Sequence, residues 1–210
     1  MTPDQVDHPK PVLLACMTAL AVRRILSSNP RLLIPAGTLI ARGPELPLGA
    51  DTLIVERLAH DLSARLQIAC SPVIPFGVHA DRDPEAPGSA SLTRKTLHRM
   101  LNELIAAWET EAKVDDVVIL TAHAADAHLE ALSTIRALGR VTLIDIFAAP
   151  LPEVSPALIT TSILLAIAPD TVDTTLLPPG LAETRATGDH YYEIIMQYLL
   201  ERVERSAEAS

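Results

Sequence analysis

Arg42, Glu45, Asp51 and His123 are the side chains of this sequence whose types best suit chemistry. The first three fall in one stretch, LLIPAGTLIARGPELPLGAD, residues 32–51, where a short apolar run gives way to a loop punctuated by glycine and proline. A loop of that length between a strand and a helix is unusual in a compact domain and is more often functional than not. A fixed cation, two carboxyl groups and an imidazole are the groups needed for proton transfer without a metal, in cyclisation, isomerisation, elimination or hydrolysis of a small organic molecule. Two further loops add candidates for binding a substrate: His79 and Asp81, in a charged run with Arg82 and Asp83, and Asp126, close behind His123. Each residue also has a plain structural role open to it. Asp51 can cap a helix, His123 can be a satisfied core histidine, and Arg42 with Glu45 can form a surface ion pair.

The elements that must hold these loops follow from periodicity. Residues 32–34 have the length and flanks of a buried strand, residues 52–65 repeat leucine and isoleucine at helical spacing, and residues 68–74 read as a second strand interrupted by Pro72. A helix capped by Ser91 or Thr93 runs to about residue 112, DVVIL at 116–120 is a third strand, a helix follows His123 to residue 138, and residues 141–148 form a fourth strand. Residues 12–26 suit a helix at the start of the chain, Ser155-Pro156 opens an apolar helix to residue 168, and a last helix covers about 189–205. Strands alternating with helices of this length predict a layered α/β domain with a largely parallel sheet. In such sheets the crevice lies beyond the carboxyl ends of the strands, where the loops carrying Ile40, His79 and His123 would meet.

Composition narrows the class. The chain has 210 residues, 49% hydrophobic and 20% charged, which fits one globular domain, residues 11–210, after a loose polar start at 1–10. A formal net charge of −9 argues against nucleic acid or an anionic membrane as partner, and 3% aromatic residues leave few stacking platforms for bases. Cys16 and Cys70 have neither metal-ligand spacing nor a disulfide framework, so a cytoplasmic, reducing setting is expected. The apolar run 11–22 is too short to span a bilayer. His60, His98 and His190 stand in helical or exposed contexts with no evident partner.

The 32–51 stretch resembles the metal-binding signature of the creatininase (creatinine amidohydrolase) family. Its frame stands here as Pro35, Gly37, Gly43, Pro44, Leu46, Pro47, Leu48, Gly49, Asp51 and Thr52. The resemblance continues through Gly77, Pro87, Gly88, Ser91 and Leu92, through His123 in VVILTAHAAD, and through SPALITTSILLAIAPDTV. It implies a three-layer α/β/α fold and a homo-oligomer, commonly a hexamer. It also implies a site for two divalent metals held by carboxylates and imidazoles.

Most of those ligands are replaced. Ile40 stands for the family's metal-binding glutamate, Arg42 for the histidine that follows it, Glu45 for the histidine after Gly-Pro, Leu158 for the last carboxylate and Ser155 for its histidine. Only Asp51 and His123 remain, so neither a metal nor another cofactor is expected, and Arg42 would take the cation's place, paired with Asp51 or Glu45. The family frame brings Asp51 beside His123, which it could orient as a general base. Three readings follow: a metal-free enzyme or binder of a small molecule, a catalytically silent scaffold or regulatory subunit, and a hydrolase with a single metal held by substitutes among Glu45, His79, Asp81, Asp126 and His128.

Overall fold

In a computed structural model, which describes residues 9–79, 87–177 and 185–208, the strands form one five-stranded sheet, wholly parallel. β1 (Val12–Leu13), β2 (Arg31–Ala36), β3 (Ala69–Cys70), β4 (Asp116–Thr121) and β5 (Arg140–Asp145) lie in the order β1-β3-β2-β4-β5. β2 at the centre is buried along almost its whole length, as a strand covered on both faces must be.

Successive residues of the strands feed two separate cores. Leu33, Cys70, Val118 and Ile144 pack with helices α2 (Ala50–Leu66), α5 (Pro156–Ile167) and α6 (Arg185–Glu208) on one face. Leu32, Ile34, Val117 and Ile119 pack on the other with α1 (Ala19–Ser28), α3 (Arg94–Ala107) and α4 (Asp126–Ser133). The chain is therefore a three-layer α/β/α sandwich, as expected. The loop leaving β2 leads to α2 on the first face, and the loops leaving its neighbours β3 and β4 lead to α3 and α4 on the second. This divergence on both sides of β2 opens a crevice at its carboxyl end.

Several elements depart from the periodicity. The helix expected at 12–26 begins only at Ala19, because Val12 pairs with Ala69 as an edge strand, its N–H donates to Ser63 Oγ at 2.9 Å, and Thr18 caps the helix through Ala21 N. The strand expected at 68–74 is two residues long, with Ile74 bridging separately to Ala36. α3 gives way to a π-helical turn at Trp108–Ala112. α4 stops at Ser133 and not at residue 138: the Ser133 and Thr134 hydroxyls donate to Glu130 O, and the Leu138 and Gly139 N–H groups donate to Glu109 Oε1 instead of continuing a helix. β5 ends at Asp145, whose side chain caps a short 3₁₀ turn by accepting from Phe147 N at 3.0 Å. The last helix is longer than expected, starting at Arg185. Residues 1–8 of the expected loose start lie outside the described residues.

The seam between α5 and α6 depends on Gly188. A Cβ there would stand 1.8 Å from the Ser162 carbonyl oxygen, which is backbone and cannot turn aside. Alanine's better helix propensity, about 1 kcal/mol, works against this clash. Gly188→Ala should still lower stability by at least about 1 kcal/mol in urea denaturation, as overpacked sites do. An unchanged midpoint would show that the helices separate freely.

Candidate active site

Asp51 is the centre of the polar cluster at the crevice. It is the second residue of α2, with Gly49 as the N-cap, so it does not cap the helix but turns inward and is 1% exposed. Its Oδ2 accepts from Thr38 Oγ1 at 2.6 Å and from Arg42 Nη2 at 2.7 Å, and Arg42 Nε donates to its Oδ1 at 3.1 Å. The His123 ring nitrogen Nδ1 lies 3.1 Å from Oδ2 and 2.8 Å from Arg42 Nη2. Burial raises the Asp51 carboxyl's pKa, but hydrogen bonding with His123 and the charge of Arg42 outweigh it, and the group is held below the usual carboxylate range.

Arg42 therefore pairs with Asp51 and not with Glu45. His123 Nδ1 stands between the members of that pair, able to donate to Asp51 Oδ2 in one tautomer and to accept from Arg42 Nη2 in the other. Nε2 is buried and has no partner among the described residues. The Arg42 side chain, 25% exposed, is the more open part of the cluster.

His128 supports this arrangement from α4. Its Nδ1 accepts from Val78 N at 3.2 Å, so its Nε2 carries the hydrogen and donates to Thr121 Oγ1 at 3.0 Å, and that hydroxyl also accepts from His123 N. The two rings meet edge to face with centroids 5.2 Å apart. Burial pushes the His128 pKa down to about 4. Gly77 permits the approach, since a Cβ there would come within 2.7 Å of the His128 ring and 2.5 Å of Thr38 Cγ2.

The remaining candidates divide. Glu45, 4% exposed, accepts from Thr161 Oγ1 at 3.0 Å through Oε1, while its Oε2 lies against Gly43 without a partner among the described residues. His79 is 7% exposed, and neither ring nitrogen has a partner among the described residues. Ser91 Oγ fixes its backbone by accepting from His79 N and donating to His79 O. His79 acts electrostatically on His128, which places it beside the same cluster. Asp126 is exposed at the first turn of α4, apart from the buried cluster, and His123 precedes that helix, so the two do not share a helical face. Asp81 lies outside the described residues. His98 is not partnerless: its ring bonds Thr134 O and Asn102.

Thr38 and Asp145 went unnoticed in the sequence. Asp145 ends β5, in register with Thr121, and its carboxyl sits above the usual range because of burial, despite the nearby His123. The position of an aspartate at the carboxyl end of a parallel strand was the available signal. No group of three or more His, Cys, Asp or Glu side chains among the described residues is arranged to hold a metal ion. The Arg42 guanidinium lies 2.7 Å from Asp51 Oδ2 and 2.8 Å from His123 Nδ1.

The model of the family described as Creatininase, creatinine amidohydrolase, matches residues 15–207, and the chain belongs to that family. The structure of a creatinine amidohydrolase (creatininase) superposes with a TM-score of 0.80 at 17% identity, covering 94% of this chain and 98% of the other. A creatininase described with Mn gives 0.80 at 16% identity, over 94% and 99%. Among curated proteins, 3-dehydro-scyllo-inosose hydrolase of Thermotoga maritima is 26% identical over 106 residues, which is half of this chain and 34% of that protein. The chain thus matches only about a third of the length of that relative.

Proposed function

We propose that this creatininase-family protein has exchanged the two-metal centre for an internal ion pair and binds a small organic molecule, on which it carries out metal-independent acid–base chemistry. The observation that carries this reading is the Arg42 guanidinium seated on Asp51 Oδ2 and His123 Nδ1 at 2.7 and 2.8 Å. A cation bound there would have to displace a permanent charge from its own buried counter-ion, and a metal site needs at least three converging ligands. In this arrangement Asp51 holds both Arg42 and His123 in place, and Nε2 of His123 exchanges a proton with the substrate while Arg42 stabilises the negative charge that develops on a carbonyl or enolate oxygen. Glu45, through its unbonded Oε2, gives or takes the proton. The action of the Thermotoga relative on an inosose supports a small, polar, oxygen-rich substrate.

Elemental analysis of the purified protein, before and after dialysis against zinc or manganese, tests the reading. No stoichiometric metal is expected in either state. Retained metal would overturn the proposal and direct attention to Glu45, Asp51 and His123 as ligands. His123→Ala should abolish turnover of any substrate found by screening while leaving the fold intact, whereas a silent scaffold would show no turnover to lose.

A further inference from the structure

α6 has an inner and an outer face. Tyr191, Ile195, Met196, Leu199 and Val203 on its inner face are buried in the core shared with α2 and α5. Its outer face, together with Pro150, bounds a hollow of about 420 Å³ lined by His190, Glu193, Ile194, Gln197, Tyr198 and Glu201. Their spacing of three and four residues puts all six on one stripe of the helix. Ile194 and Tyr198 are half-buried, and the other four are exposed. A strip of apolar side chains inside a polar rim is the anatomy of a protein interface.

The stripe is chemically its own complement. Let a second copy of α6 lie antiparallel across it, with a two-fold axis passing midway between positions 195 and 196. His190 then stands level with Glu201 of the second copy, close to the line between the two helices. Each residue turns the helix by about 100°, so Ile194 and Tyr198 fall to one side of that line and Glu193 and Gln197 to the other. A two-fold axis sets like side against like side. Ile194 therefore packs on Tyr198 of the second copy, the Gln197 amide donates to Glu193 of the second copy, and the His190 imidazole N–H donates to Glu201, every contact being made twice by symmetry. Sliding one copy by about a turn toward its C-terminus would set Glu193 level with Glu201 of the other, two like charges, and sliding it the opposite way takes His190 from Glu201. Within one chain Glu193 meets Arg65, and Glu201 meets Arg205, each at 3.6 Å between exposed side chains. Exposed pairs of this kind are worth about 0–1 kcal/mol and do not resist such an exchange.

We infer that the outer face of α6 is a homodimer interface, on which two copies of this chain pack antiparallel with His190 bonded to Glu201 and Ile194 packed on Tyr198 across the two-fold axis. This is independent of the chemistry proposed for the Asp51 cluster. An interface built on one helix pair is small, which sets the dissociation constant in the micromolar range.

Sedimentation velocity of the full chain from about 1 to about 500 µM tests it. The mass at the upper end should be an even multiple of the 22.6 kDa of one chain. His190→Glu places carboxylate against carboxylate, and Glu201→Arg places a guanidinium against imidazole, so each should weaken association at least about tenfold or halve the mass. The double variant His190→Glu, Glu201→Arg rebuilds an ion pair across the axis and should recover the parent's association, a result that neither a local effect of each substitution nor another interface produces. A single chain at every concentration would overturn the inference, as would single variants that associate like the parent. A double variant no better than the singles would overturn the antiparallel pairing, and with it the inference. Both positions are exposed, and melting curves show whether the variants fold; should a single variant melt early, recovery or its absence in the double decides.

Discussion

Asp51→Ala should destabilise the protein by about 3–5 kcal/mol, the usual cost of removing one partner from a buried ion pair. Asp51 receives hydrogen bonds from Thr38 and from two nitrogens of Arg42, and lies against His123, at 1% exposure. Its loss leaves the guanidinium, three-quarters covered, without a counter-ion and the Thr38 hydroxyl without an acceptor. Arg42→Met removes the stranded charge, so the double variant should recover a good part of the loss. Urea denaturation of the two single variants and the double gives the coupling between them, expected to lie at about 2 kcal/mol or more for groups in direct contact. An Asp51→Ala protein within about 1 kcal/mol of the parent would mean that water reaches the pair and that the cluster is not preorganised.

Stability should fall as pH drops from about 6.5 to about 4, and His128 should account for most of it in that window. In the folded protein its pKa is lowered to about 4 by burial and by His123, against 6.5 for an ordinary histidine. Between these values the unfolded chain binds a proton that the folded one refuses. Stability therefore rises with pH across the window and is lost on acidification, by on the order of 3 kcal/mol in total. Asp51 acts lower down. Its pKa is held under the usual value of 3.8, so its contribution disappears as the pH falls through that region. Denaturation curves at pH 7 and pH 5 for the parent and His128→Gln separate the two residues: the variant should be less stable at pH 7, losing the bonds to Val78 and Thr121, and should show a much flatter response to pH. An equal slope in both proteins would assign the acid sensitivity elsewhere.

Local patterns were enough to read the layers. Leu32, Leu33 and Ile34 form a continuous apolar run because β2 is covered on both faces, and that is visible without coordinates. Thr93 and Ser155 cap α3 and α5 as their types suggest. The boundaries failed where non-local bonds decided them. Residues 12–16 look apolar enough for a helix, but Val12 and Leu13 pair with Ala69 and Cys70, and Val12 bonds to Ser63, all residues far along the chain. Residues 134–138 continue a helical pattern, yet Glu109, in the π-helical turn after α3, captures the N–H groups of Leu138 and Gly139.

The sequence by itself determined the family frame, the alternation of strands and helices, and the placing of Ile40, Arg42 and Glu45 in the loop between β2 and α2, because each depends on residue type and spacing along the chain. It left open whether Arg42 would join Asp51 or Glu45, and whether Asp51 would cap its helix or serve the crevice. The tertiary structure decided both. α2 starts at Ala50 with Gly49 as its cap, which turns Asp51 into the space where the β2 and β4 loops meet, and the same fold sends Glu45 toward Thr161 on α5. Which buried atoms stay unbonded depends on distances of a few tenths of an ångström between residues distant in sequence, and only the packed chain sets those.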